Sequence, residues 1–571
     1  MKKLLPSLLF SACVLTAQAQ WTNNAALNTA VQDLAGVTEA TPMSAPGPTG
    51  GTWVSWFEQA PGSSYIMRVQ LLDRNGNKTL GPNGLLVSAN PQSTALYRYD
   101  LKSDAAGNAI LAFQDTRSGS NTQCVVYKIS PSGTQLWGAN GIQLLDPAAT
   151  SGLAPAIAVL NSGNVVVAWN SSGTGRPAVA IQKFSPAGTA LWATPMRLQD
   201  ASASIERPKP LPTGTDDVLL HYVRRSGAGL GVSTMFAQRF DASGTAVWAS
   251  PTAVSDKAIG FAFFPEPISD GLGGYFVAFN SGNPASASLG DVYVQRVRQD
   301  GSTWSTSGTP ALAGTATARF DGRLQYVPSQ NELYVALTVT NTSQSQSGIA
   351  FQRLNPNTGA VLSTGPQAST GVEVFGIDAS LYSAQALRDT GAGLIVVYTQ
   401  NTSALNRLLA ATRLSYSGAT GTFPTGSGNI ILSSAASEKL NYSALPYASN
   451  QLVVVWADRR TDDGIYAQTI NDSGQLGVIT GTRTGYPALP LTLVPNPGAA
   501  PVLQLSAGQA QAATLLVHDV AGRVVHQQAV VLPAGPSRIL LAAPALAAGL
   551  YTIELSIDGF TWRGRWVKAQ N

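Results

Sequence analysis

Residues 182–188 read QKFSPAG, the end of an apolar strand followed by a turn that closes at a glycine. The first and the last copy of this pattern end at Gly76 and Gly474, which lie 398 residues apart. Seven steps over that distance give a repeat of about 57 residues. The eight copies, of which the sixth and seventh are looser, end at Gly76, Gly133, Gly188, Gly244, Gly301, Gly359, Gly418 and Gly474.

A second landmark repeats at the same interval, an aromatic residue at the end of an apolar strand. Such aromatics fill the space between neighbouring sheets in stacked repeat proteins, so we expect them to be buried rather than to form a platform for sugars. The set is Trp56, Phe113, Trp169, Tyr222, Phe279, Tyr398 and Trp456, with Leu337 in one copy.

Eight long units of short strands predict an all-β fold, an eight-bladed β-propeller with four-stranded blades. The second copy is divided into an inner strand at Ala95–Leu101, strands at Ala109–Phe113 and Gln123–Ile129, and an outer strand that begins at Gln135. A β-solenoid is the competing architecture, but its units are usually shorter and lack the punctuation of four strands. The copies also resemble propeller-like repeats of exported Bacteroidetes proteins of unknown role, most closely at residues 456–459 (WADR) and 238–241 (QRFD).

The N-terminal residues have two predicted roles. Residues 1–19 combine a basic start, a short apolar run and a small-residue cleavage site, and they predict a secretory signal peptide. The next segment, Trp21–Val31, resembles an outer strand with no preceding strands, whereas the last repeat lacks a Trp in its outer strand. We therefore expect Trp21–Val31 to complete the last blade beside Tyr466–Ile470 and to close a propeller that spans residues 20–485.

The C-terminal residues 486–571 predict a separate, small Ig-like β-sandwich. Gly, Pro and Asp-Gly turns separate its short alternating strands. The strands are expected at Thr514–Asp519, Val524–Val531, Arg538–Ala542, Tyr551–Ile557 and Arg563–Lys568.

This segment resembles the C-terminal sorting domain of type IX secretion (type A), found in Bacteroidetes-type Gram-negative bacteria. The resemblance rests on VPNP at residues 494–497, DVAGR at 519–523, LAAGLY at 546–551 and VK at 567–568. It implies export through the periplasm and across the outer membrane by the type IX machinery, to the cell surface or the medium. It also implies that the domain is cut off near Thr482–Pro487. The motif residues are Pro495, Asn496, Pro497, Asp519, Gly522, Arg523, Gly549, Tyr551 and Lys568.

Composition excludes several kinds of function. Charged residues make up 12% of the chain and form no basic run, so no nucleic-acid partner is expected, and no segment is apolar enough for a transmembrane helix. The mature chain has one cysteine, Cys124, which we expect to be a buried thiol. Of three histidines only His221 lies in the repeats, and the surrounding sequence predicts that it is a strand residue. We therefore expect no histidine-based catalysis, metal site or cofactor. No sialidase Asp-box matches, which disfavours a sialidase.

A candidate ligand-binding face is indicated by charges that recur after the second strand of several repeats. Loops at this position lie on one face of a propeller, where partners commonly bind. Solvent-exposed ion pairs at the strand ends are the alternative explanation of these charges. The residues are Asp115, Arg117, Arg224, Arg225, Asp458, Arg459 and Arg460.

Three functions remain open. The main prediction is a non-catalytic secreted or surface protein that binds or adheres to a glycan or a surface protein. The first alternative is a secreted carbohydrate-active propeller enzyme whose carboxylates cannot be identified from sequence. The second is a structural surface protein without a discrete ligand.

Overall fold

The computed structural model describes residues 21–92, 98–117, 119, 121–227, 231–260, 263–283, 286–313, 317–403, 405–477, 492–494, 496–498, 501–507, 511–519, 523–532, 535–541, 546–557 and 560–569. The chain divides into two compact units, Met1–Ile479 and Thr480–Asn571. The predicted signal peptide and the predicted cleavage linker Thr482–Pro487 lie outside the described residues. None of the helices described is long and apolar enough to cross a membrane.

The described part of the first unit is all-β and contains eight antiparallel sheets, numbered here in chain order. Sheet 1 is Thr38–Pro46, Thr52–Gln59, Tyr65–Leu72 and Leu85–Gln92; sheet 2 is Asp100–Ser103, Ala109–Asp115, Gln123–Ile129 and Ile142–Leu144. Sheet 3 is Ser151–Val159, Val165–Ser172, Ala178–Phe184 and Met196–Leu198; sheet 4 is Ala203–Thr213, Asp217–Ser226, Val232–Phe240 and Thr252–Ala253.

The remaining sheets follow the same order of strands. Sheet 5 is Ile268–Ser269, Tyr275–Asn283, Ser286–Val297 and Thr309–Pro310; sheet 6 is Ala318–Val327, Glu332–Thr340, Ser347–Leu354 and Val372–Asp378. Sheet 7 is Ser383–Asp389, Leu394–Asn401 and Arg407–Leu414, which pairs with both Thr420–Gly421 and Asn429–Ser433. Sheet 8 is Glu438–Ala444, Leu452–Arg459, Asp463–Ile470 and Thr29–Gln32. Two short helical turns, Pro48–Gly50 and Gln367–Thr370, complete these elements.

Neighbouring sheets share apolar cores, as the propeller-like repeat pattern predicted. Each sheet contributes buried side chains to a cluster with the next sheet in the chain. Sheet 8 in turn packs against sheet 1, where Val453 and Val455 share a cluster with Val54 and Trp56. The predicted core aromatics and Leu337 are at most 3% exposed, which confirms that they pack inside the protein.

The repeat glycines have a common structural reason. Each lies in the turn after the third strand, adopts a positive φ and receives a side chain from the preceding sheet. At Gly188 an added Cβ would lie 2.8 Å from the Trp137 ring, whose Nε1 donates to the carbonyl of Pro186 in the same turn. Only glycine satisfies both the backbone conformation and this close approach. The pairs are Trp21 on Gly76, Leu80 on Gly133, Trp137 on Gly188, Trp192 on Gly244, Trp248 on Gly301, Trp304 on Gly359, Phe351 on Gly418 and Phe423 on Gly474.

The N-terminal segment provides the fourth strand of sheet 8. Thr29 pairs with Ala467 and Ala30 with Tyr466, the neighbour that the sequence predicted. The ladder runs over Thr29–Gln32, a shorter strand than the predicted segment. Preceding it, Trp21 is 3% exposed and contacts the Gly76 turn of sheet 1 as the other tryptophans contact theirs.

The predicted strands of the second repeat agree with the structure in part. The third strand, Gln123–Ile129, has the predicted bounds, but the first strand is Asp100–Ser103 and the fourth begins only at Ile142. The fourth strand starts later because Trp137, which was assigned to it, instead packs on the Gly188 turn of the next sheet. In the predicted first strand, residues 95–97 lie outside the described part.

The described part of the second unit consists of two antiparallel sheets. One contains Thr492–Val494, Val502–Ala507 and Gly535–Leu540; the other contains Val524–Leu532, Gln511–His518, Gly549–Ile557 and Phe560–Lys568. All five strands expected from the sequence are present. Leu503 and Leu541, near the first sheet, share a core with Leu515, Ile553 and Trp566 of the second.

A buried carboxyl group lies where the N-terminal segment meets sheet 1. Glu39 is fully buried; its Oε1 accepts a hydrogen bond from the Leu34 amide at 3.3 Å, and among the described residues Oε2 has no hydrogen-bond partner. Burial raises the pKa of Glu39 to about 8, and the carboxylates of Glu58, Asp33 and Asp462 add to the shift. Glu39 is therefore protonated at neutral pH in the folded protein.

This shift predicts a pH-dependent loss of stability that Glu39→Gln removes. The pKa is raised on folding, so the folded state holds the proton more tightly, and the contribution to stability declines as the pH rises from 4.5 towards 8. The loss is at most about 1.4 kcal/mol per pH unit. Urea unfolding of the wild type and Glu39→Gln should therefore diverge above pH 4.5, with the variant more stable at pH 8. A difference that does not change with pH would contradict the assignment.

Candidate functional site

The first strands of several sheets line a common cavity of about 480 Å³, called here the first-strand cavity. Each of these strands lies at the edge of its sheet, and the segment just before sheet 5 joins them. The cavity is lined by Ser44–Pro46, Asp100–Ser103, Ala156–Val159, Lys209–Pro212, Glu266–Pro267 and Ala444–Pro446.

A repeated bulge shapes the first strands above this cavity. The register shifts after Ala40 in sheet 1, after Leu153 in sheet 3 and after Glu206 in sheet 4, and sheets 6 and 8 have the same irregularity. In each case the first bulged residue is a non-glycine with positive φ: Thr41, Ala154, Arg207, Asp321 and Asn441. Proline follows it in sheets 1, 3 and 4, which an edge strand tolerates because its outer N–H groups do not pair within the sheet. This repeated proline is the sequence signal that could locate the bulges of the first strands.

Asp100 contributes the first carboxylate of the cavity. Its side chain is 6% exposed, and Oδ2 accepts a hydrogen bond from the Ile157 amide of sheet 3 at 2.9 Å. Oδ1 lies 3.3 Å from Nζ of Lys102, whose side chain is half exposed to the cavity. Asp100 raises the pKa of Lys102, burial opposes this, and Glu266 adds to the rise. Lys102 is therefore a charged ammonium group that pairs with Asp100.

Glu266 contributes the second carboxylate and is the more accessible one. Its side chain is 58% exposed, and both oxygens lie 3.0 Å from Nζ of Lys209. The Arg98 guanidinium is 3.4 Å away on another side. An accessible carboxylate that is oriented by two cations suits the position of a general base or a nucleophile.

Two arginines flank an aromatic ring beside the cavity. The guanidinium carbon of Arg98 lies 4.0 Å and that of Arg207 lies 4.9 Å from the centroid of the Phe264 ring. Arg207 also donates to the Phe263 carbonyl at 2.8 Å. Burial lowers the pKa of Arg98, Glu266 opposes this, and Arg323 adds to the lowering. Arg323 therefore belongs to the same electrostatic environment.

Sheet 7 adds a further, partly buried cation. Arg388 donates to the carbonyl groups of Ala444 and Leu445 at 2.5 and 3.0 Å, and both residues line the cavity. Burial lowers the pKa of Arg388 to about 10, and Arg323 contributes in the same direction. This value keeps Arg388 charged at neutral pH.

His221 is not available as a base. It is fully buried, and its Nδ1 lies 2.8 Å from the hydroxyl group of Tyr275. Burial lowers the pKa of His221 to about 3, with a smaller contribution from Lys209. The imidazole is therefore neutral and structural, and it lies in the strand Asp217–Ser226, as the sequence predicted for a strand residue. Cys124 is a buried free thiol, as predicted.

The residues of the predicted loop face lie in three different sheets, outside the lining of the first-strand cavity. Arg117 donates to both carboxylate oxygens of Asp115, whose side chain is 1% exposed. Arg224 pairs with Asp200 at 2.8 Å, and Arg225 pairs with Glu206 at 3.0 Å. Each pair is local to its own sheet region, and whether the set binds a ligand stays a prediction.

Asp458, Arg459 and Arg460 of sheet 8 have different environments. Asp458 is fully buried and accepts hydrogen bonds from Trp456 Nε1 at 2.9 Å and Arg460 at 3.1 Å. Arg460 also donates to the Leu27 carbonyl at 2.7 Å, so it holds the N-terminal segment. Arg459 alone forms exposed ion pairs. The alternative of solvated ion pairs thus fits Arg459, while Asp115 and Asp458 are buried.

The motif residues of the second unit stabilise its turns and strands. Asn496 accepts from the Val567 amide at 2.9 Å and donates to the Arg565 carbonyl at 2.7 Å. Arg523 pairs with Asp519 at 2.7 Å across a turn. The Tyr551 and Trp566 rings lie 5.5 Å apart, and Lys568 lies over the Trp566 ring. Gly549 begins the strand that contains Tyr551, whereas Pro495 and Gly522 are not among the residues described.

Comparisons with solved structures find distant similarity. An ulvan lyase, a polysaccharide lyase, is 12% identical over 81% of this chain and 98% of that chain, with a TM-score of 0.41. An α-L-arabinanase of Penicillium chrysogenum is 10% identical over 58% of this chain and 96% of that chain, with a TM-score of 0.32. An α-L-arabinofuranosidase of Fusarium graminearum is 11% identical over 58% and 95%, with a TM-score of 0.33. No family model and no curated protein matches the chain.

These comparisons contradict the main functional prediction. A non-catalytic binding protein was expected, but the similar structures named above are carbohydrate-active enzymes, which agree better with the first alternative. At these identities and TM-scores the likeness establishes no activity of this chain. An activity of this chain therefore has to be inferred from the first-strand cavity itself.

Proposed function

We propose that the first unit is a carbohydrate-active propeller enzyme whose active site is the first-strand cavity. The observation that carries the proposal is the meeting of two carboxylates, Asp100 and Glu266, in one cavity together with Lys102 and Lys209. Paired carboxylates are the usual catalytic groups for cleavage of glycosidic bonds. Concave sites with a few convergent polar groups are also where small molecules and polymer ends bind.

The proposed fold is an eight-bladed propeller, with the eight sheets as blades of one closed ring. Its support is the cyclic order of the shared cores, including the core between sheets 8 and 1. In such a ring the first strands face the axis, so their side chains converge although they are distant in sequence. Glu266, exposed and held by Lys209 and Arg98, is proposed as the base or nucleophile, and Asp100 is proposed to orient Lys102.

The test is a depolymerisation assay with the full-length mature chain and a panel of neutral and acidic polysaccharides. Glu266→Gln and Asp100→Asn should each lower kcat/KM by about 100-fold or more, because each removes a charge while keeping the side-chain shape. Reducing ends measure cleavage, and ultraviolet absorbance of an unsaturated sugar separates elimination from hydrolysis. Thermal unfolding of each variant shows whether it is folded.

The matched control is Asp300→Asn, which changes an exposed turn carboxylate that is not among the residues lining the cavity. It should leave the rate unchanged. Cleavage of no polysaccharide in the panel, or full activity in Glu266→Gln, would overturn the proposal.

We further propose that the second unit directs export by type IX secretion and that the mature protein is secreted or held at the cell surface. The support is the order of the four sequence landmarks and the presence of a separate unit with its own core. The contacts of Asn496, Asp519 and Tyr551 give the landmarks a role in shaping that unit.

A further inference from the structure

Positive charge exceeds negative charge around the first-strand cavity. Six basic residues lie on or beside its lining, and the acidic groups that form ion pairs with four of them are Asp100, Glu266 and Glu206, the last of which also pairs with Arg225. In a chain with only 12% charged residues this concentration is unusual. The six are Arg98, Lys102, Arg207, Lys209, Arg323 and Arg388.

The cations also repel one another. Burial is the main cause that lowers the pKa of Arg98, Arg207 and Arg388, and neighbouring arginines lower it further: Arg323 for Arg98 and Arg388, and Arg225 and Arg98 for Arg207. Like charges gathered in a partly dehydrated cavity cost free energy unless a counter-charge is present. An anion bound in the cavity would relieve this repulsion.

The accessible cations are arranged to contact such an anion. Half of the side chain of Lys102 and half of that of Arg98 are exposed. The Phe264 ring contacts the Arg98 guanidinium, with the guanidinium carbon 4.0 Å from the ring centroid, and Nη1 of Arg98 donates to Glu266 at 3.4 Å. A guanidinium edge matches the geometry of a carboxylate or a sulfate.

We infer that the first-strand cavity takes a polysaccharide bearing carboxylate or sulfate groups, with Lys102, Lys209 and Arg98 as the residues that bind the anionic group. This inference rests on the proposed function and names its substrate class. Neutral polysaccharides lack a group that would compensate the excess of positive charge.

The test measures binding of the full-length mature chain to three classes of polymer by affinity electrophoresis and calorimetry. Polygalacturonate represents carboxylates, dextran sulfate represents sulfates, and dextran and arabinan are neutral. We expect at least one anionic polymer to bind, with an affinity that falls as salt rises, and the neutral polymers to bind weakly. The two anionic polymers separate a carboxylate from a sulfate as the recognised group.

Variants locate the binding. Lys102→Gln, Lys209→Gln and Arg98→Gln should each weaken binding of the anionic polymer by about tenfold or more, because each removes a charged donor. Arg413→Gln, which removes a positive charge outside the cavity, is the control and should bind as the wild type does. Thermal unfolding identifies any variant that is misfolded, and one such failure leaves the other two substitutions as readouts.

The outcomes separate this inference from the proposed function. If the neutral polymers are cleaved and the three variants bind them normally, the anionic specificity is wrong but the carbohydrate activity stands. If an anionic polymer binds equally to the wild type and to all three variants, the cavity is not its site. If no polymer binds or is cleaved, both proposals fail.

Discussion

Removal of residues 21–32 should prevent the first unit from folding to a soluble, cooperative state. This segment supplies the fourth strand of sheet 8, so its loss exposes the edge of Asp463–Ile470 to pairing with other chains. It also removes buried Val31 and the contact of Trp21 with sheet 1. The expected readouts are aggregation during expression and loss of a sharp thermal transition.

Trp21→Ala should reproduce part of that loss. The Trp21 Nε1 donates to the Arg74 carbonyl at 2.9 Å, and its amide donates to the Asn75 carbonyl at 2.8 Å. Truncating a buried tryptophan costs about 3–5 kcal/mol, which urea unfolding would measure.

Leu27→Ala is the matched control in the same segment. Leu27 is 63% exposed, and its backbone carbonyl, which accepts from Arg460, is unaffected by the substitution. Its free energy of unfolding should stay within about 0.5 kcal/mol of that of the wild type. A Trp21→Ala protein as stable as Leu27→Ala would show that the segment does not hold the two sheets together.

Deletion of residues 486–571 should abolish surface delivery in a bacterium with type IX secretion. The proposed sorting unit has its own core, so the first unit of the shortened chain should still fold, and it should accumulate in the periplasm. Cell fractionation and thermal unfolding of the periplasmic protein measure both expectations. We also expect cleavage of the full-length chain near Thr482–Pro487, visible as a shorter mature protein.

A gain-of-function experiment provides the control for that deletion. Residues 486–571 fused to an unrelated periplasmic protein should carry it across the outer membrane. Surface delivery of a chain that ends at Gly485 would rule out the sorting role, whether or not the first unit is active.

The repeat could be predicted from sequence because its landmarks are local. A turn glycine and a strand-end residue, aromatic in all copies but one, recur at similar spacing, since each turn receives an apolar side chain from the preceding sheet. The position of Trp21 could also be predicted from the repeat pattern, because the last repeat lacks the tryptophan that the N-terminal segment provides. The bounds of the outer strand were less accurate, because Trp137 belongs to the contact between sheets rather than to the ladder.

The candidate site could not be found by searching the sequence for repeated features. The charges after the second strands recur in the repeats and attracted the prediction, but Asp115 and Asp458 are buried in local ion pairs. The carboxylates of the cavity are each present in a single copy, so a search for repeated features passes over them. Asp100 also looked like an ordinary residue of a short strand.

The sequence alone determined that the chain is a series of similar β-sheets followed by a small second unit, since the spacing of turns and core aromatics is encoded within each repeat. Only the tertiary structure decided which charges meet. Asp100, Lys209 and Glu266 are separated by more than fifty residues at each step, and they line one cavity because each lies on or just before the first strand of its sheet. Packing of one sheet against the next brings those strands together, and no local pattern records the resulting electrostatic environment.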